Sequence, residues 1–137
     1  MTPSERLLVL VLRAASAVLL LALVPAAMPF AWMDAVHRWL GLGELPQQPV
    51  MEYLCRSASL LYAYHGAVLL FVSFDVRRWM PVLRCLAWLG VAFGAAVAVV
   101  DLAARLPPWW IVGDAASILA ICGVILWLAG RCEQERP

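Results

Sequence analysis

The chain contains no lysine, so all ten of its basic residues are arginine. Charge of either sign is scarce: 14% of the 137 residues are charged, against about 25% in soluble domains. The net charge of +1 offers no basic surface, and no nucleic-acid partner is expected. Four cysteines are present, Cys55, Cys85, Cys122 and Cys132, but none forms a C-x-x-C pair and no histidine cluster accompanies them. That spacing excludes a zinc site and a redox dithiol, and leaves them as small apolar side chains in or near spans. There is no glycine-rich phosphate loop, no nucleophile elbow and no H-E-x-x-H. No catalytic residue and no metal ligand is therefore assigned, and a non-enzymatic role is favoured over an enzymatic one without the enzymatic one being excluded.

What the chain has instead is apolar length. Hydrophobic residues make up 65% of it and the mean hydropathy is +0.88, too apolar for a globular core. The runs predict an all-α fold, a four-helix transmembrane bundle forming a single integral membrane domain over residues 1–137. The spans are expected at about 10–30, 50–74, 82–104 and 109–130. From Ala14 to Met33 the run is broken only by Ser16, Pro25 and Pro29, and Arg13 stands at its entry, placed to snorkel to the headgroups. A cleaved signal peptide is the competing reading, with Val24-Pro25-Ala26 as the cleavage site. The apolar character continues past that site to Trp32, which favours a span.

Residues 31–43 change character. Trp32, Val36, Trp39 and Leu40 fall near one helical face, with Asp34, His37 and Arg38 on other sides. This predicts a short interfacial amphipathic helix after the first span, ended by Gly41, Gly43, Pro46 and Pro49. Pro49 and Glu52 suit the start of the second span. The segment Asp75 to Pro81 closes it with charge and a proline, and Asp75 is expected to partner Arg78. The third span carries Gly90-x-x-x-Gly94 followed by Ala98, a smooth stripe for close helix packing. Pro107-Pro108 breaks the chain, and Trp109-Trp110 sits where an interfacial aromatic belt is expected.

Arginines outside the spans fix the expected orientation. Arg6 and Arg13, then Arg77, Arg78 and Arg84, then Arg131 and Arg136 fall on one side; Arg38 and Arg105 fall on the other. Seven against two places both termini in the cytoplasm. The patch of Asp75, Arg77, Arg78 and Arg84 is then suited to anionic lipid.

The second span is the unusual one, because it carries Arg56, Tyr62, Tyr64 and His65 in an apolar run. An ionisable group in a span costs ~2.5–3.5 kcal/mol on insertion scales, so such groups face protein or water. With the orientation above, Arg56 lies roughly 9 Å below the outer end of its helix. Asp101 near the end of the third span and Asp114 near the start of the fourth fall at similar depth. Arg105, four residues after Asp101, follows in a favourable helical order. Two arginines and two aspartates at one level make a neutralising network, or a polar pocket open to the outer leaflet that binds a lipid, a quinone or another small amphiphile. His65 is nine residues beyond Arg56, on the opposite face. With Tyr62 one turn earlier, it is a candidate proton or ligand contact, or a residue hydrogen-bonded to a neighbouring helix.

The early arginine in YLCRSASLLYAYHG, the RRWMPVLR loop and the DLAARLPPWWIVGD stretch, together with length and span number, resemble the small four-span bacterial membrane proteins grouped as DoxX-like. The likeness covers about residues 50–130. It implies a multi-pass protein of the bacterial inner membrane, and some members of that group are linked to quinone or thiol-linked redox complexes. The missing cysteine pair weakens a redox role here. No cofactor is assigned; a quinone is the one the resemblance would bring. The expected partners are the lipid bilayer and, beyond it, a membrane protein complex or a second copy of the chain. The leading reading is amphiphile binding at the outer polar layer. The alternatives are a structural accessory subunit of a larger complex and a membrane subunit of a quinone-linked oxidoreductase.

Overall fold

A computed structural model of the chain describes residues 1–135. Arg136, counted above among the arginines of the cytoplasmic side, lies outside the described residues. The fold is all-α, without strands among the described residues. Its helices are α1 (Pro3–Leu20), α2 (Leu23–Ala27), α3 (Phe30–Trp39), α4 (Pro49–Ser73), α5 (Val76–Ala103), α6 (Pro108–Ile111) and α7 (Ser117–Gln134). A π-helical turn (Val112–Ala116) joins α6 to α7. Four segments are long and apolar enough to cross a membrane: Pro3–Ala27, Pro49–Ser73, Val76–Ala103 and Pro108–Gln134. Large apolar side chains such as Leu60, Leu61, Leu89, Phe93, Val99 and Trp127 remain exposed. Lipid is the solvent in which such surfaces are stable, and the chain is a multi-pass membrane protein.

Two compact units divide the chain, Ala14–Leu70 and Met1–Arg13 with Phe71–Pro137. In the second of these, α1 starts earlier than the apolar run suggests. Thr2 and Glu5 form a capping box: the Glu5 amide donates to the Thr2 hydroxyl at 3.2 Å, and the Thr2 amide to the Glu5 carboxylate at 2.9 Å. The buried Ser4 hydroxyl donates to Glu135 at 2.5 Å, tying the start of α1 to the end of α7. That hydroxyl holds the Glu135 carboxyl below the usual carboxylate range.

The third span also starts earlier than expected, at Val76 instead of residue 82. Asp75 is the reason. Its side chain accepts from the Arg78 amide at 3.1 Å and caps α5, so its partner is the Arg78 backbone. Pro81 lies inside the helix instead of ending the one before. In the second turn it forfeits a single backbone bond, to the Arg77 carbonyl. Further along α5, Gly90 and Gly94 face α7. A Cβ at Gly90 would lie 2.5 Å from the Cys122 sulfur, and one at Gly94 would lie 3.1 Å from Ile118 and Leu119. The small-residue stripe thus packs helices within this chain.

In the unit Ala14–Leu70, two prolines interrupt the first span. Pro25 has no N–H for the Leu21 carbonyl, which accepts from Val24 instead, and the helix breaks at Leu21–Ala22. Pro29 then sends Met28 into an extended conformation. The helix that follows, α3, is the amphipathic one expected. Trp32, Val36 and Trp39 are exposed on one side, and Met33 is buried. Asp34 accepts from Arg38 and, at 2.8 Å, from the Leu45 amide, folding the loop back onto the helix. The Arg38 guanidinium holds the Asp34 carboxyl below its ordinary value. His37 bonds the Gly43 carbonyl at 2.9 Å. At Gly66, α4 approaches α1 so closely that a Cβ would meet Leu19 Cβ at 2.9 Å. The buried Ser16 hydroxyl donates to the Gly66 carbonyl there at 2.7 Å.

Candidate functional site

Arg56 is engaged within its own unit. Its guanidinium donates to the Ala26 carbonyl at 2.6 Å and to the Met28 carbonyl at 3.1 Å, and pairs with Glu52 one turn earlier at 2.8 Å. Pro29 and the extended Met28 deprive these carbonyls of helical donors. A cation at the C-terminal end of α2 also suits its dipole. The interruption of the first span and the arginine in the second are thus two halves of one device. Arg56→Ala should cost about 1–2 kcal/mol, the value of charged hydrogen bonds to carbonyls that lipid cannot replace. The check is thermal unfolding in detergent; Glu52→Gln should cost less, because the Glu52 carboxylate is half-exposed.

Asp101, Asp114 and Arg105 lie in the other unit. α5 ends in a Schellman motif: the Leu106 amide donates to the Asp101 carbonyl at 3.1 Å, and the Arg105 amide to the Leu102 carbonyl at 3.1 Å. Arg105 takes the left-handed position of that motif, with φ 54°. It is therefore not on the helical face one turn after Asp101. It is exposed and makes no ion pair among the described residues. The helical order read from the sequence fails because the helix stops at Ala103, two residues too soon.

Asp101 and Asp114 are brought together. Asp101 is 95% buried, and one of its carboxylate oxygens has no hydrogen-bond partner among the described residues. α5 packs against the π-turn, which carries Asp114 within electrostatic reach of Asp101. The Ser117 hydroxyl donates to the Asp114 carbonyl at 2.8 Å. A π-turn inserts an extra residue into a helix and recurs at functional sites. Here it opens a cleft of about 290 Å³ lined by Trp109, Trp110, Gly113 and Asp114. The two tryptophans meet edge to face, with centroids 5.6 Å apart. The cleft joins a carboxylate to two indole rings at the start of the fourth span, and the unsatisfied Asp101 acceptor is within electrostatic reach of that carboxylate. No group of three histidine, cysteine or acidic side chains among the described residues is placed to hold a metal ion.

His65 stands exposed on α4 with no hydrogen-bond partner among the described residues. Tyr62, one turn before it, is also exposed.

Sequence reasoning missed Glu5. Its side chain is fully buried, and both oxygens accept from Arg77, at 2.6 and 2.8 Å. The signal was present as T-P-S-E before an apolar run, a capping-box pattern. Arg84, taken with Arg77 as a lipid-facing group, pairs with Glu133 at 2.7 Å and donates to the Ala129 carbonyl at 3.2 Å. No family model, curated protein or solved structure matches the chain.

Proposed function

We propose that this small multi-pass membrane protein holds a lipid-like amphiphile at the Trp109–Trp110 cleft, with its headgroup on the Asp114 and Asp101 carboxylates. The observation that carries this reading is the buried, unpartnered oxygen of Asp101, within electrostatic reach of the cleft residue Asp114. A buried polar group without a partner is costly, and an ionised carboxylate can only accept. The complementary ligand must donate. An ammonium headgroup fits best, because it donates to carboxylates and is attracted to the faces of indole rings. A quinone offers only carbonyl acceptors and is disfavoured. The seven-to-two arginine count supports an orientation with the termini in the cytoplasm, so that the cleft opens to the outer leaflet.

Native mass spectrometry of the detergent-extracted protein tests this. Wild type should retain an amine-bearing phospholipid in preference to phosphatidylcholine, and Asp114→Asn or Trp109→Ala should lose it. Retention of a quinone, or lipid retention unchanged in both variants, would count against the proposal.

A further inference from the structure

A second cavity lies at the opposite end of the same unit, where α1 begins and α4 ends. It has a volume of about 380 Å³, and three arginines are among the residues that line it, Arg6, Arg13 and Arg77. Their hydrogen bonds are unevenly used. Arg77 is fully committed in orientation, because the buried Glu5 carboxylate takes two of its N–H groups. Glu5 is saturated in turn, since the Thr2 amide takes a further share of it. Asp75, the other acid in the cavity wall, caps α5. Glu5 is thus paired with Arg77, and Asp75 alone is left against the two positive charges of Arg6 and Arg13. Arg13 reaches the Ser73 hydroxyl only at 3.5 Å and lies 5.8 Å over the Phe74 ring. The Arg6 guanidinium has no acceptor among the described residues.

Arg6 and Arg13 are seven residues apart on α1, hence on one stripe about two turns apart. Between them the wall is apolar, made by Val9, Phe74 and Val76. Cations with spare donors above a hydrocarbon wall are what the phosphodiester and glycerol region of a phospholipid requires: guanidinium forks match phosphate oxygens, and the wall accepts the first methylenes of the acyl chains. Of the other arginines of this face, Arg84 is held by Glu133, and Arg78 and Arg131 lie over Trp79 and Trp127, outside the cavity wall.

We infer that the cavity between Arg6, Arg13 and Arg77 is a discrete binding site for the phosphodiester headgroup of an anionic phospholipid. The site is independent of the carboxylate cleft and of any ligand there. It differs from general attraction to a charged surface in resting on two named arginines and one apolar wall.

The test uses the full chain in nanodiscs of phosphatidylcholine doped with phosphatidylglycerol, with lipid retention read by native mass spectrometry. Wild type should keep phosphatidylglycerol selectively. Arg6→Gln with Arg13→Gln should reduce that selectivity about 30-fold, with helical content by circular dichroism unchanged. The control pair Arg78→Gln with Arg131→Gln removes the same charge elsewhere on this face and should leave selectivity within a few-fold. Equal loss in both pairs would mean diffuse charge attraction and overturn the site. Displacement of the lipid by inorganic phosphate would mean a site for free phosphate and overturn the lipid assignment.

Discussion

Arg77→Ala is expected to be the most destabilising single change in this chain, lowering the melting temperature more than any other substitution considered. Glu5 is completely buried, and Arg77 supplies the two short hydrogen bonds that make its charge tolerable there. Removing the arginine leaves an enclosed carboxylate with only the Thr2 amide as donor. The reverse change, Glu5→Gln, should cost much less, on the order of 1 kcal/mol, because the Arg77 side chain is 58% exposed and can be solvated. Combining the two should recover most of the loss caused by Arg77→Ala. Thermal unfolding in detergent, run as a double-mutant cycle, checks this directly. If Glu5→Gln proved as damaging as Arg77→Ala, the asymmetry of burial would not be what sets the cost. The pair also orients one wall of the arginine-lined cavity, so Arg77→Ala should weaken lipid selectivity together with stability.

Gly66→Ala should come next, at about 2–3 kcal/mol. The added methyl would meet the Leu19 Cβ at 2.9 Å, the Ser16 carbonyl oxygen at 3.1 Å and the Leu20 amide at 3.2 Å. Two of these are backbone atoms and the third is fixed to it, so the helices must separate. Separation also stretches the buried bond from Ser16 to the Gly66 carbonyl. Without water in the bilayer, that hydroxyl is left with only the carbonyls of its own helix. Gly90→Ala offers the contrast. Its methyl would meet chiefly the Cys122 sulfur, the end of a side chain that can turn away. A cost under about 1 kcal/mol is expected there, and Cys122→Ala should abolish it. Comparable melting shifts for Gly66→Ala and Gly90→Ala would contradict the distinction between backbone and side-chain contacts.

The sequence by itself determined the class and the number of spans. Apolar run length depends only on the bilayer, whose thickness is the same for every protein, so Pro49–Ser73 and Pro108–Gln134 begin within one residue of where hydropathy puts them. The amphipathic α3 was legible for the same reason, since its face is set by a periodicity internal to the segment. Helix ends were less legible. Asp75 and Arg105 decide where α5 starts and stops through capping geometry, and one residue's conformation there outweighs the hydropathy of its neighbours.

Only the tertiary structure decided which polar groups meet. Arg56 was the conspicuous residue in the sequence, and its partners are two carbonyls at the break around Pro29, nearly thirty positions earlier. No residue type announces a free carbonyl, since the backbone is the same everywhere. Glu5 precedes the apolar run and drew no attention in the sequence, yet it is a fully buried charge, and Arg77, 72 positions away, pairs with it. Asp101 and Asp114 were named from depth alone. What makes them a candidate site is the π-turn, which the sequence does not mark and which sets Asp114 against two tryptophans in one cleft.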